Sequence, residues 1–285
     1  MNKVTKFLFE EWVKIKLWKR IFVKIILLFF VVVVIHYPNP YLLIKQISHF
    51  TNVESLINEK LPDIDRINNS INERLKKDHT KKAEYYAVQQ FVYRNIHYKD
   101  DWDNWLNIDY WPTADEVWER KEEDCDGRAV LAVSILRSRG FKTAQIVGNI
   151  SHIWVKIDKS EIMGPRKDKN FQTIRTGKGK SKTKISKPDK NRMTKAFSYH
   201  IRKFPIARNI LLIVLTLIII IHPCKDRKVY YLGSIVGLLS FLYLKEWSIS
   251  RQYYITFDFV IGMSLLIFAY VLSYVFSIKS CITKE

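Results

Sequence analysis

From Ile21 to Tyr37 apolar residues run almost unbroken, interrupted only by Lys24 and His36. A bilayer span needs roughly 20 such residues, so this run predicts a membrane helix, with Lys24 reaching toward the headgroups. No small-residue cleavage site follows, only His36-Tyr37-Pro38-Asn39-Pro40, which favours an uncleaved anchor over a signal peptide. The rhythm then turns helical. Leu42, Leu43, Ile47 and Phe50 form one stripe, and Ile64, Ile67, Ile71 and Leu75 another, behind Pro62. Between Thr80 and His97 the stripe Ala83, Tyr86, Ala87, Gln90, Phe91, Arg94, widened by Val88 and Val92, predicts a longer helix.

Tyr98 to Thr113 has no period and is rich in Trp, Asp and Asn. It reads as a loop roofing the core. Thr113 then caps a short helix, with Glu116 completing a capping box. The run Ala129 to Leu136 is apolar on most faces, which predicts a buried helix, with Asp124 as N-cap and Gly140 as terminator. Thr143–Val147 alternates as a strand, Gly148-Asn149 reads as a turn, and Ser151–Asp158 alternates again. Lys159-Ser160 turns the chain into Glu161–Pro165. Arg166 to Lys195 is poor in apolar side chains, and 166–204 reads as a disordered basic linker. Ile206–Ile221, Val229–Leu244 and Tyr254–Ile278 are apolar all round, joined by a tight Pro223–Lys228 connection, and predict three further spans.

The chain thus divides into 1–37 (basic N-terminus and first span), 38–165 (a folded domain), 166–204 (linker) and 205–285 (three spans). Charge sharpens this division. The formal charge is +19, but Arg166 to Lys203 holds 14 Lys and Arg against Asp168 and Asp189, so +12 of the excess sits there. Arg166 to Lys195 has no aromatic interleaving of the kind nucleic-acid binding uses and no known binding fold, so nucleic acid is not the expected partner. It leads into apolar segments, and anionic lipid headgroups suit it better. A first span with its basic flank inside places the domain outside the cytoplasm, since long loops translocate largely regardless of charge. The expectation is a multi-pass membrane protein with an extracytoplasmic domain.

Candidate chemistry is sparse. Of three cysteines, Cys224 and Cys281 flank apolar segments, and Cys125 stands alone in the domain. No Cys/His spacing resembles a zinc site, and no metal or cofactor is expected. Cys125 falls in the first turn of its helix, where free N–H groups and the dipole favour a thiolate. His152 lies on a following strand, so a thiolate–imidazole pair is possible. The plainer alternative is a half-buried cysteine and a surface histidine.

The order Trp111-Pro112-Thr113, Asp124-Cys125-Asp126, Ala129, Leu136-Arg137, Gly140, His152-Ile153-Trp154-Val155 resembles the transglutaminase-like superfamily of papain-like cysteine enzymes over about a quarter of the chain. The resemblance implies an α+β core, in which the helix bearing Cys125 packs on a small antiparallel sheet, attached here to four transmembrane helices. It implies Cys125 as nucleophile, His152 as its base and later acid, and acyl transfer on peptide or amide bonds of a protein or peptide substrate. Trp111 and Trp154 are candidate substrate contacts. The family's third member is an acid where this chain has Gly164. Asp158, six residues from His152 along a strand, lies about 20 Å away, so Asn149 is the candidate orienting group. Two alternatives stay open: an inactive domain serving as a membrane-tethered binding module through its tryptophan loop, and a cross-linking transglutaminase.

Overall fold

The structure, a computed structural model, describes residues 11–12, 14–75, 80–149, 152–164, 174–175, 190–221, 227–249 and 257–282. Most of the expected linker, the Pro223–Cys224 connection and the start of the last expected span lie outside these residues. The chain forms two compact units, 39–193 in one and 1–38 with 194–285 in the other.

The unit spanning 39–193 is mostly helical with a small antiparallel sheet. Its helices are α2 (Pro40–Thr51), α3 (Ile64–Arg74), α4 (Lys81–Asn95), α5 (Asp101–Asn104), α6 (Ala114–Arg120) and α7 (Cys125–Ser138). The strands β1 (Gln145–Asn149), β2 (His152–Ile157), β3 (Ser160–Ile162) and β4 (Ile174–Arg175) stand in the order β3-β2-β1-β4. Helix α7 is the centre. Every side chain from Ala129 to Leu136 is buried, as an all-round apolar helix requires. It packs against β1 and β2 and against α3, α4 and α6. Asp124 caps its start by accepting from the Asp126 N–H at 3.1 Å. Gly140, at φ +93°, ends it. The Gly140 N–H reaches Arg137 O and the Phe141 N–H reaches Leu136 O, both at 3.0 Å, a Schellman closure that needs the left-handed residue.

Several elements differ in detail from the sequence pattern. In α2 the inward side chains are Leu42, Gln46 and His49, while Ile47 and Phe50 are exposed. Polar contacts set that face. Gln46 Oε1 accepts from the Trp111 N–H at 2.7 Å, and His49 Nδ1 donates to Trp111 O at 2.5 Å. In α4 the buried face is Tyr85, Val88, Phe91 and Val92, with Tyr86 outside. Gly148-Asn149 closes β1 rather than forming a turn, with Gly148 opposite Ile153 and Asn149 opposite His152. A Cβ on Gly148 would lie 2.9 Å from Ile153 Cγ1 and 3.1 Å from His152 O, so glycine eases the close strand approach. The expected roof is present: Trp102, Trp105, Tyr110 and Trp111 are all buried.

In the second unit, α1 (Leu17–His36) precedes four helices of the C-terminal region, α8 (Lys190–Lys203), α9 (Ile206–Ile221), α10 (Arg227–Ile249) and α11 (Phe257–Ile282). Helix α8 corrects the end of the expected disordered linker. Ile201 and the following Phe204 are buried there, and this apolar face gives the basic segment a reason to fold. Lys24 donates to Ile220 O at 2.7 Å, and Ser240 to Gly262 O at 2.7 Å. Among the described residues one helix, Tyr231–Ile249, is long and apolar enough by itself to cross a membrane. Two more candidates pass as bent pairs, Leu17–His36 with Pro40–Thr51 and Phe197–Lys203 with Ile206–Ile220, and Phe257–Ala269 is a shorter apolar stretch. Lys19, Arg20 and Lys24 weaken the first as a single span.

Candidate functional site

The chain reaches Cys125 along a pinned path. Lys121, at φ +61°, turns it out of α6. The Glu123 N–H donates to His97 O at 2.8 Å and the His97 N–H to Lys121 O at 2.7 Å. Cys125 then opens α7, and the Ile153 N–H lies near enough to its thiol to favour the anion. Ile153 directly follows His152 on β2, so the fold brings the thiol and the histidine-bearing end of that strand together.

His152 Nε2 lies 2.9 Å from Met163 O. A carbonyl oxygen only accepts, so Nε2 carries the proton and, in the neutral ring, Nδ1 is the basic nitrogen. Met163 follows β3 in a left-handed conformation, φ +61°. Its N–H donates to Gln89 Oε1 at 3.2 Å. The group orienting the imidazole is therefore a backbone carbonyl. Asp158 is engaged elsewhere, accepting from Thr143 Oγ1 at 2.7 Å and Tyr85 Oη at 3.2 Å. Asn149 faces His152 in register, but its side chain lies outside the described residues. Gly164 packs on the Trp154 indole, where a Cβ would stand 3.0 Å from Cδ1.

The thiol environment overturns the expected resting thiolate. The Cys125 pKa is pushed well above its ordinary value, first by burial and then by the charge of Asp124, with Asp101 and Asp109 adding and the Ile153 N–H opposing. A helix start favours an anion by only about 0.3–1 kcal/mol, which desolvation and nearby carboxylates outweigh.

Trp111 and Trp154 are 4% and 0% exposed, so neither offers a substrate any surface. Tyr93 and Arg128 instead lie close enough to the thiol to feel its charge. The Arg128 guanidinium sits 5.4 Å from the Tyr93 ring and 5.1 Å from the Tyr98 ring, and both tyrosines are exposed. No protein-family model matches the chain, and neither does any curated protein or solved structure.

One feature was not anticipated from the sequence. Asp101, Glu123, Asp124 and Asp126 each bring a carboxylate oxygen to within 4.8 Å of the others. Burial, then the charge of Asp124, raises the pKa of Asp101, Asp126 and Glu123, the last to about 8. The density of acids in Asp100–Asp103 and Glu122–Asp126 was visible in the sequence. Their convergence was not, because it depends on the His97–Glu123 pairing.

Proposed function

We propose that this is a membrane-anchored thiol enzyme that transfers acyl groups from peptide or amide bonds, on a transglutaminase-like, papain-like core. Its spans would be four, with the 39–193 unit outside the cytoplasm and lipid headgroups contacting the basic segment. The observation that carries this reading is that the Ile153 N–H lies near enough to the Cys125 thiol to favour its anion, on the residue next to a histidine whose Nε2 is already committed. Cys125 attacks the acyl carbon while His152 Nδ1 takes the thiol proton. The same nitrogen then returns a proton to the leaving amine, and water or a second amine releases the acyl group. The Cys125 N–H, at the start of α7, would be a donor for the developing oxyanion. Tyr93, Tyr98 and Arg128 form the exposed wall a peptide would meet.

The test is hydrolysis or aminolysis of fluorogenic peptide amides by the full chain in detergent. Cys125→Ala is expected to abolish turnover, and His152→Ala to lower it by about 10²–10⁴-fold. A full chain that turns over no such substrate, while Cys125→Ala keeps its cellular role, overturns the reading. That result favours a tethered binding module, a reading supported by the raised thiol pKa and by Gly164 in the acid position. Topology is tested by a protease-cleavable tag at Gly177–Lys187. Cleavage by protease added outside intact cells is expected, and protection there with cleavage after lysis reverses the orientation.

A further inference from the structure

We propose that the carboxylates of Asp101, Glu123, Asp124 and Asp126 form a binding site for a hard divalent cation of calcium size. The proposal rests on these side chains alone and stands whether or not Cys125 is a nucleophile.

Two buried oxygens lead to it. Asp101 is 2% exposed and Glu123 0%, yet Asp101 Oδ1 and Glu123 Oε2 have no hydrogen-bond partner among the described residues. A buried, unpartnered carboxylate oxygen is costly. The other oxygen of each is firmly held. Asp101 Oδ2 accepts from the Tyr110 N–H at 2.7 Å. Glu123 Oε1 accepts from Asn104 Nδ2 at 2.8 Å and Trp105 Nε1 at 2.5 Å. This is how outer-shell groups orient metal ligands, with one oxygen anchored and one left bare. Backbone contacts complete the arrangement: the Asp126 N–H donates to Asp124 Oδ1, and the Gly127 N–H to Asp126 Oδ1 at 2.6 Å.

Space and charge agree. A Cβ on Gly127 would stand 2.1 Å from Glu123 Cγ, so glycine there is what admits the glutamate. Among the described residues no ion pair reaches any of the four carboxylates, whereas neighbouring Glu122 pairs outward with Lys99 at 2.6 Å. The donors are all oxygen, the set that hard cations select. Oxygens on opposite sides of a calcium stand about 4.6–5.2 Å apart, twice its bond length, against about 4 Å for magnesium. The four oxygens, all within 4.8 Å of one another, fall inside the span that calcium's ligands cover. Asp124, only partly buried, leaves the ion a route from solvent.

The test uses the full chain in detergent, stripped with chelator and titrated with calcium chloride and, separately, with terbium chloride. Trp105, bonded to Glu123, is positioned to sensitise terbium emission. A saturable signal near one terbium per chain, displaced by calcium, is expected. At a hundredfold excess over Kd, calcium should raise the melting temperature by about 5–10 °C. Glu123→Gln and Asp101→Asn should lose both effects. Asp124→Asn, at the partly exposed position, keeps a capping side chain and should weaken binding at least tenfold even if the buried variants fail to fold. Glu119→Gln, on the exposed face of α6, should bind as the native chain does. Absence of a saturable signal and of a melting shift in the native chain overturns the proposal and means that shared protons, not a cation, fill the cluster. Equal binding by Asp124→Asn and the native chain overturns it too.

Discussion

Gly164 gives the sharpest test of how the His152 strand is packed. A methyl added there would lie 3.0 Å from Trp154 Cδ1, 3.3 Å from Cγ and 3.4 Å from Nε1. Ordinary carbon contacts are about 3.5–4.0 Å, and Trp154 is 0% exposed, so the indole has nowhere to retreat. Overpacking of this kind costs about 1–3 kcal/mol. Gly164 is not in the left-handed region, so alanine also gains about 0.4–1 kcal/mol by restricting the unfolded chain. The net loss for Gly164→Ala is about 1–2 kcal/mol, or roughly 2–8 °C in melting temperature, read by tryptophan fluorescence. Trp154 Nε1 has no partner among the described residues. A serine hydroxyl at 164 can accept from it, so Gly164→Ser should recover about 0.5–1.5 kcal/mol relative to alanine. An alanine variant melting at or above the native chain would refute the packing, and serine falling below alanine would refute the unmet indole N–H.

Two further outcomes are expected. In chelator, alkylation of Cys125 by iodoacetamide should keep accelerating with pH beyond the range of an ordinary cysteine, because burial and Asp124 favour the protonated thiol; a plateau below pH 7 would show a thiolate instead. Gln89→Ala frees the Met163 N–H and should lower kcat on a turned-over substrate with little change in KM, while Gln89→Glu, which keeps the acceptor, should restore it; equal loss in both variants would make Gln89 merely structural.

The sequence was most informative where one local rule decides the outcome. Thr113 and Glu116 form the full capping box, Asp124 and Gly140 bound α7 as residue type demands, and the hairpin turns between Ile157 and Ser160. It was least informative where polar side chains reach across the chain. The inward face of α2 is set by Gln46 and His49 gripping Trp111, across 65 and 62 positions of sequence. Apolar periodicity assigns no weight to such bonds, so it groups Ile47 and Phe50 in one stripe with Leu42, although both are exposed. The same blindness hid the carboxylate cluster. The imidazole's partner was illegible for another reason: it is a backbone oxygen, and only the left-handed turn at Met163 aims it.

That turn also bears on how the site would work. A non-glycine residue at φ +61° costs on the order of 1 kcal/mol or more and persists only where its surroundings enforce it. Here Gln89 holds the N–H and His152 takes the carbonyl. Gly164, packed on Trp154, carries no side chain, so the imidazole meets a carbonyl dipole at Nε2. Burial and the charge of Asp124 meanwhile oppose a thiolate at Cys125. On the acyl-transfer reading, the resting sulfur is a protonated thiol, and its proton moves to His152 only as the sulfur meets an acyl carbon. Such a site spends little time as a reactive thiolate and depends on a positioned substrate to become nucleophilic.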